Sequence, residues 1–557
     1  MTPSDGDGDG DGDAGAGLVR IAHDALEDLL ALDPVWATAL GEHRCDDRLP
    51  DRSPEGVEDA RRLLSGWLGA VDAVDDSVLL VDHQVDHELL RSALSARLFE
   101  IEDAHPHSWD PLAANPGTAL HLLLARDFAP LAERLRSLAG RLAAVPAALA
   151  TARSSLRDMP RVHVETAAGQ FRGTRSLVQE QVAQALEKEP ALRAEVEPAR
   201  VAALEALDDH ILWLEACLSA GGPGSADGDP RLGAELFAAK LWHTLDTQTP
   251  PDSVLVRAES DLMRVEAEIA ELTGGRDPRQ VLDELAADGP VDDSTVLAHC
   301  ERALLDTTSF VTEHGLVTVP DRWDERVRII EMPEIHRGVA VAYCDAPGPL
   351  ERAALPTFFA VAPTPADWPP ERVRSFYREY NAHQLRNLTV HEAMPGHVLQ
   401  LAHSTAAAVG DGASAVRAAL YSGPFVEGWA VYAEELMVGA GFGGPAVALQ
   451  QLKMQLRSTI NAILDVRVHA HGMTEGEAMA LMTGRGHQEV GEAAGKWRRA
   501  LLTSAQLSTY YVGYTEVRDL ANRLGLARPA ASVRERHDEM LAHRSPPPRH
   551  LRTLLGL

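Results

Sequence analysis

The sequence has little cysteine and fewer basic than acidic residues, and each shortage excludes a class of protein. Only four of its 557 residues are cysteines, and no two of them form a CxxC pair. Their spacing indicates neither a disulfide scaffold nor a thiolate metal cluster. Acidic residues outnumber basic ones by 83 to 52, which gives a formal net charge of −31. That charge excludes nucleic acid and anionic membranes as main partners.

Long apolar runs are missing as well. No stretch reaches the roughly 18 apolar residues that a membrane-spanning helix needs. The N-terminus also lacks the charged and then apolar segments of a secretion signal. Together with the low cysteine content, these features predict a cytoplasmic protein.

The first 17 residues, MTPSDGDGDGDGDAGAG, alternate Asp with Gly. An EF-hand calcium loop needs a Glu at its twelfth position and a helix on each side. Counted from Asp5 that position is Ala16, and no helix precedes it. A disordered acidic tail over residues 1–17 is therefore expected.

From residue 18 to residue 557 the spacing of apolar residues predicts a mainly α, single helical domain. The segment 221–230, GGPGSADGDP, predicts a connector, either a loop between helices or a subdomain boundary. Residues 327–344 and 357–361 are β-branched or aromatic and predict a small β-ribbon at about 316–363. This ribbon either packs on the helices or offers an edge strand that aligns an extended peptide.

A candidate metal motif follows one predicted helical run. The residues HEAMPGH (391–397) resemble a zinc-hydrolase signal, in which two histidines hold the metal and the adjacent Glu392 takes a proton from the attacking water. The six-residue spacing is abnormal, because it would turn His397 away from His391 on an ideal helix. Pro395 and Gly396 favour a broken helix that brings His397 back. The alternative is an ordinary helix end that His397 caps.

A third ligand is predicted on a second helix, FVEGWAVYAEE (425–435). Glu427 would complete a His₂Glu set with one open position, which is the usual ligand set of catalytic zinc. Glu434 lies seven residues later on the same face and is a candidate to orient a ligand. Glu435 is expected to be a solvated charge. The alternative is that Glu427 and Glu434 are both surface residues.

The segments EYNAHQLRNLTVHEAMPGHVLQ (379–400) and FVEGWAVYAEEL (425–436) resemble the bacterial domain-of-unknown-function family 885, the HExxxGH proteins. The resemblance begins at about residue 20 and covers nearly the whole chain. The fold of that family is thought to be similar to that of the carboxypeptidase Taq family, the gluzincin-like zinc peptidases. The resemblance implies a large helical domain with a deep groove. It also implies one zinc ion per chain, held by His391, His397 and Glu427, with Glu392 as general base.

A late helix is expected to supply a hydrogen-bond donor for the oxyanion that forms when an amide is attacked. Within residues 504–520, Tyr510 and Tyr514 share one helical face. Tyr510 with Gly513 matches the Tyr-x-x-Gly pattern of the family, so Tyr510 is the first catalytic candidate and Tyr514 the second. The alternative is that each tyrosine is a core residue with a satisfied hydroxyl.

Substrate binding has five polar candidates. A free carboxylate on a substrate would call for a bidentate arginine, and the family-matching arginines are candidates for that role. Two histidines either orient the site or are hydrogen-bonded interior residues. The candidates are Arg457, Arg499, Arg518, His469 and His537.

These observations predict a zinc-dependent hydrolase that cleaves a peptide or peptide-like amide, and the resemblance favours a carboxypeptidase or dipeptidase acting on short substrates. The same two histidines and carboxylate also suit Fe²⁺ in oxygenases, where Glu392 has no obvious role. A non-catalytic binding protein that keeps the peptidase fold is the third hypothesis. The expected partner is a peptide or small amide substrate, and a homodimer is left open.

Overall fold

The structure is a computed structural model that describes residues 9–219, 226–332, 342–365, 368–406 and 413–557. These residues are mainly helical with one small three-stranded sheet, which confirms the mainly α class and the β-ribbon. The chain divides into two compact units, residues 1–230 with 347–355, and residues 231–346 with 356–557. None of the described helices combines the length and the apolar character that a bilayer crossing requires.

The first unit is helical, and its core follows the predicted apolar spacing. Leu135, Leu138 and Leu142 are fully buried on one helix, and Leu207 and Leu214 are fully buried on another that packs against it. Its helices are α1 (Asp9–Leu32), α2 (Pro34–Leu40), α3 (Pro54–Asp72), α4 (Val81–Phe99), α5 (Pro106–Trp109), α6 (Gly117–Ala125), α7 (Leu131–Ser155), α8 (Arg161–Ser176), α9 (Val182–Lys188) and α10 (Arg193–Ser219).

The predicted N-terminal tail and the predicted connector both belong to the first unit. Helix α1 begins at Asp9, so the disordered tail predicted for residues 1–17 is wrong from that residue on; residues 1–8 lie outside the described residues. The helix that the apolar spacing predicts from Leu18 onward thus extends towards the N-terminus as far as Asp9. The predicted connector ends at Pro230, where the first unit ends, and residues 220–225 lie outside the described residues.

The second unit contains the remaining helices and the sheet. Its helices are α11 (Ala234–Leu245), α12 (Pro251–Leu272), α13 (Pro278–Asp288), α14 (Val296–His314), α15 (Trp323–Arg326), α16 (Pro370–Glu379), α17 (Ala382–Glu392), α18 (His397–Ala406), α19 (Ala413–Ala419), α20 (Gly423–Gly439), α21 (Gly444–His471), α22 (Glu475–Ala480), α23 (Val490–Leu502), α24 (Thr509–Ala527), α25 (Val533–Leu541) and α26 (Pro548–Leu554).

The sheet has the strand order β1–β3–β2, with β1 at Val327–Glu331, β2 at Ala342–Asp345 and β3 at Thr357–Val361. β1 pairs with β3 in parallel, and β2 pairs with β3 antiparallel. The central strand carries β-branched and aromatic residues, and its Phe359 is fully buried. β1 and β2 are therefore the two edge strands among the described residues.

Helices α20 and α24 touch through their backbones at two glycines. A Cβ atom on Gly428 would lie 2.3 Å from the carbonyl carbon of Gly513, and a Cβ atom on Gly513 would lie 2.0 Å from the carbonyl oxygen of Pro424. Real side chains do not tolerate such contacts, so only glycine allows this separation. The close approach brings the turn that contains Glu427 next to the turn that contains Tyr510.

A buried carboxylate fixes the start of α24. Asp465 of α21 is fully buried and accepts hydrogen bonds from the backbone N–H groups of Ala505 and Ser508, at 3.2 and 3.0 Å, and from the Ser508 hydroxyl at 2.7 Å. Ala505 has φ +63°, a left-handed conformation that glycine adopts more easily. These bonds place Tyr510, one turn further along, relative to α21.

We expect Gly513→Ala to destabilise the protein by about 1–3 kcal/mol, because the new methyl group meets backbone that cannot move aside. The melting temperature should fall by roughly 2–10 °C. Gly525→Ala is the matched control on the same helix, since its Cβ would meet only the Arg536 side chain, at 3.9 Å. This control should be neutral or stabilising by up to about 1 kcal/mol. Equal melting temperatures for the two variants would contradict the close contact.

Candidate metal centre

The two histidines of the HExxxGH motif lie on different helices. α17 ends at Glu392 and α18 begins at His397, so the helix breaks at the Pro-Gly pair. The Met394–Pro395 peptide bond is cis. The backbone then folds back on α17, and a Cβ atom on Gly396 would lie 1.8 Å from the carbonyl oxygen of His391. Only glycine fits this position.

A tryptophan on a third helix fixes this turn. The indole Nε1 of Trp429 donates a hydrogen bond of 2.8 Å to the carbonyl oxygen of Pro395, and the Trp429 side chain is fully buried. Because Trp429 is two residues after Glu427, one helical segment supplies both a candidate ligand and the support of the turn. The relative positions of the two histidines and Glu427 are therefore coupled.

The structure brings His391, His397 and Glu427 together. One ligand atom of each lies within 4.8 Å of the other two. Oε2 of Glu427 is 3.5 Å from Nε2 of His391 and 3.6 Å from Nε2 of His397. The imidazole rings are 4.9 Å apart at an interplanar angle of 88°, so their nitrogens converge on the carboxylate.

These residues fit a metal ion. The Oε2 atom of Glu427 is buried and makes no hydrogen bond to any residue that the structure describes. Burial raises the pKa of this carboxyl, but the two histidines outweigh burial and hold its pKa well below the ordinary value. Two imidazoles and one carboxylate are a common donor set of catalytic zinc. A cation between the three side chains would supply the partner that Oε2 lacks.

Glu434 orients His391 from behind. Its Oε1 atom is 2.8 Å from Nδ1 of His391, and its Oε2 atom accepts a 2.6 Å hydrogen bond from Nδ2 of Asn387. Glu434 is only 3% exposed, so these contacts fix its charge in place. The sequence motifs do not indicate Asn387, although its position four residues before His391 puts it on the same helix face.

Glu392 lies at the end of α17 beside the edge strand β2. Its Oε2 accepts a 3.0 Å hydrogen bond from the backbone N–H of Cys344. Burial raises the pKa of Glu392, while the charges of His391 and His397 partly oppose that change. The carboxylate is therefore next to the three candidate ligands and next to a strand edge.

Only one of the two tyrosine candidates is near these ligands. Tyr510 lies beside Glu427, whose negative charge, together with burial, raises the pKa of Tyr510 and keeps its hydroxyl protonated. Tyr514 instead donates a 2.7 Å hydrogen bond to Glu435 and accepts one from Gln455. The hydroxyl of Tyr514 is therefore used in contacts between helices, and a catalytic role for it stays a prediction. Glu435 accepts a second hydrogen bond from Arg518. The expectation that Glu435 is a solvated charge is therefore wrong.

The three candidate arginines have different environments. Arg457 is buried and forms ion pairs with Glu379, at 3.0 Å, and with Glu492. Arg518 is 3.0 Å from Glu435. The guanidinium of Arg499 donates to a neutral oxygen, Oε1 of Gln506, at 2.7 Å, and it also lies against the hydroxyl of Tyr510.

Both candidate histidines are interior residues with backbone partners. Nε2 of His469 contacts the carbonyl oxygens of Ala500 and Thr503 at 3.0 and 2.9 Å. Nδ1 of His537 is 2.8 Å from the carbonyl oxygen of Leu316, and Nε2 of His537 is 2.9 Å from the hydroxyl of Tyr432. Burial lowers the pKa of His537 and favours its neutral form. These contacts match the interior alternative, and a substrate-binding role for either histidine stays a prediction.

A second set of candidate ligands, Asp76, His87 and Glu88, lies in the first unit. It is a weaker candidate, because Asp76 is exposed and Nε2 of His87 is 2.9 Å from the carbonyl oxygen of Val71. Exposed acidic groups commonly lie near a histidine without binding metal.

We expect Glu434→Gln to weaken zinc binding by about 10- to 100-fold, because the change removes the negative charge behind His391. The dissociation constant can be measured by competition with a chromogenic chelator. Glu435→Gln is the matched control, since the neighbouring carboxylate contacts Tyr514 and Arg518 instead of His391. Equal zinc affinities for the two variants would contradict the orienting role of Glu434.

The fold is shared with two solved structures. A protein described as "a putative lipoprotein of unknown function" from Shewanella oneidensis is 28% identical, with a TM-score of 0.83 over 97% of this chain and 100% of that chain. A "putative lipoprotein" from Colwellia psychrerythraea has a TM-score of 0.80 over 98% of each chain, and its 15% identity shows the fold alone. No curated protein matches the chain. The family described as "Bacterial protein of unknown function (DUF885)" matches residues 34–555, and the chain belongs to this family.

Proposed function

We propose that the protein is a zinc-dependent hydrolase that cleaves a peptide or a peptide-like amide bond. One observation carries this proposal: the Nε2 atoms of two histidines converge on a buried carboxylate oxygen of Glu427, directly beside Glu392. That oxygen accepts no hydrogen bond from any described residue. A zinc ion held by such a set supplies a Lewis acid that polarises a carbonyl group and acidifies a water molecule.

The side chains around this set have complementary tasks. Glu392 is the general base, because a carboxylate whose pKa is raised by burial accepts a proton more readily than a solvated one. The same carboxyl group can then donate that proton to the leaving amine. Tyr510 keeps its hydroxyl proton next to Glu427 and is the candidate donor to the oxyanion.

A peptide is the favoured substrate class because an edge strand reaches the candidate base. The N–H of Cys344 on β2 donates to Glu392, so this strand ends beside the reacting groups. An extended peptide can lie along such an edge and place a carbonyl group near Glu392. The sequence resemblance implies a fold similar to that of the carboxypeptidase Taq family, and on that implication we favour a carboxypeptidase or dipeptidase that acts on short substrates. An amide in a specialised metabolite is the alternative substrate.

The cellular location carries two opposing indications. The low cysteine content, without a CxxC pair, favours a cytoplasmic location. The solved structures from Shewanella oneidensis and Colwellia psychrerythraea are each described as a "putative lipoprotein", and that description favours a location outside the cytoplasm. The hydrolase proposal holds in either compartment.

We expect Glu392→Gln to reduce peptide hydrolysis by at least about 100-fold, because the amide cannot accept a proton. A peptide library digested by the wild-type protein and read by mass spectrometry measures the activity. The variant should keep one bound zinc ion per chain, since Glu392 is not among the converging ligands. A variant that cleaves as fast as the wild type, or a metal-loaded wild type that cleaves no amide, would refute the proposal.

Metal analysis of protein purified without added metal separates the hydrolase from an Fe²⁺ oxygenase. We expect one equivalent of zinc, removable with a chelator, and loss of both amide hydrolysis and thermal stability on removal. Stoichiometric iron with oxygen-dependent turnover would favour the oxygenase. A phenotype that survives Glu392→Gln would favour a binding protein instead.

A further inference from the structure

Two of the candidate arginines near the metal centre, Arg457 and Arg518, are already neutralised by carboxylates. Arg457 is shared by Glu379 and Glu492, and Arg518 is held by Glu435. These guanidinium groups have little capacity left for a substrate, because their carboxylate partners would have to be displaced first.

Two cations of α23, Lys496 and Arg499, have no carboxylate within ion-pair distance in the described part of the chain. They lie three residues apart on α23 and therefore share one helix face. Arg499 bonds to the neutral side chain of Gln506. Lys496 is partly buried, and the charges of Arg457 and Arg499 act on it. Glu492, one turn before Lys496 on α23, pairs with Arg457 instead.

An ammonium group in this position is unfavourable without an anion. Burial and the nearby positive charges of Arg457 and Arg499 lower the pKa of Lys496 well below its ordinary value. A charge that is removed from water needs a partner, and no described residue supplies one. The arrangement suits a negative group that arrives with a ligand.

Tyr510 connects Arg499 to the candidate metal centre, and Tyr380 connects Arg457 to it. Tyr510 lies beside both Arg499 and Glu427. On the other side, Tyr380 lies beside Arg457 and feels the charge of Glu392. Arg499 is therefore separated from Glu427 by one side chain, that of Tyr510, and Lys496 lies one helical turn before Arg499.

We propose that Lys496 and Arg499 form a subsite for a carboxylate of the substrate, next to the candidate metal centre. This inference rests on the proposed hydrolase and specifies its substrates as amides that carry a carboxylate close to the scissile bond. Lys496 is the specificity-determining residue, and the planar Arg499 completes a bidentate contact. A substrate in which that carboxylate is an amide loses the charge-assisted bonds.

Binding of N-acetylalanine and N-acetylalaninamide, measured by isothermal titration calorimetry on the zinc-loaded protein, tests the subsite directly. We expect the acid to bind about tenfold more tightly than the amide, and Lys496→Met to weaken binding of the acid about tenfold while leaving the amide unchanged. Lys496→Arg should retain at least about a third of the affinity. Lys188→Met, which removes the same charge from an exposed position of α9, should have no effect.

The melting temperature of Lys496→Met is a second readout. Removing an ammonium group that has no ion pair should leave the melting temperature equal or higher. A lower melting temperature would show that Lys496 has a structural partner, and it would overturn the inference. Equal binding of the acid and the amide by the wild type would overturn it too.

Peptide hydrolysis separates the two proposals. The wild type should cleave peptides with a free C-terminal carboxylate at least about tenfold faster than the matching C-terminal amides, and Lys496→Met should remove that preference. Equal cleavage of both would overturn the subsite while the hydrolase stands. Absence of any cleavage, with Lys496-dependent binding of N-acetylalanine, would refute the hydrolase and keep the anion subsite.

Discussion

The contact between α20 and α24 is the constraint on which the candidate site depends. Two glycines, Gly428 and Gly513, let the two backbones touch. Glu427 precedes the first glycine and Tyr510 lies one turn before the second, so the contact that packs the helices also sets the separation of these two side chains. Larger residues at these two positions would push the helices apart and so increase the distance between the candidate ligand Glu427 and the candidate donor Tyr510. The glycines of the FVEGWA segment and of the Tyr-x-x-Gly pattern therefore allow a helix packing on which the proposed chemistry depends.

Electrostatics supplies the second constraint. Glu392, Glu427 and Glu434 lie in one interior region with His391 and His397, and burial alone would disfavour three negative charges there. The carboxylates raise the pKa of His391 well above its ordinary value, against the effect of burial. A divalent cation satisfies the same carboxylates. The region is built to hold positive charge.

Much of this arrangement could be predicted from the sequence, because local rules control it. The Pro-Gly pair predicted the break between His391 and His397, and the seven-residue spacing put Glu434 on the face of Glu427. The apolar spacing that predicted the helices also marks their buried faces: Leu456 and Ile460 of α21 lie four residues apart, and both are fully buried. The β-branched segments predicted the strands.

Contacts between distant segments could not be predicted in the same way. Tyr514 and Tyr510 share a helix face in the sequence pattern, and only the packing of α20 and α21 shows that Tyr514 meets Glu435 and Gln455. The ion pairs of Arg457 join three helices. Lys496 gave no signal at all, because its importance lies in the partners that it lacks, and a sequence does not show missing partners.

The hydrogen bond from Trp429 to the carbonyl oxygen of Pro395 has a thermodynamic consequence. It joins the helix of Glu427 to the turn between the two histidines before any ion arrives. The conformational entropy of ordering these ligands is therefore lost during folding, and little of it remains to be lost when an ion binds. An ion that prefers another geometry would have to distort this turn, which is held by α17 on one side, by α18 on the other and by the hydrogen bond from Trp429. Selectivity among metals would then arise from the stiffness of the backbone as much as from the chemistry of the ligands.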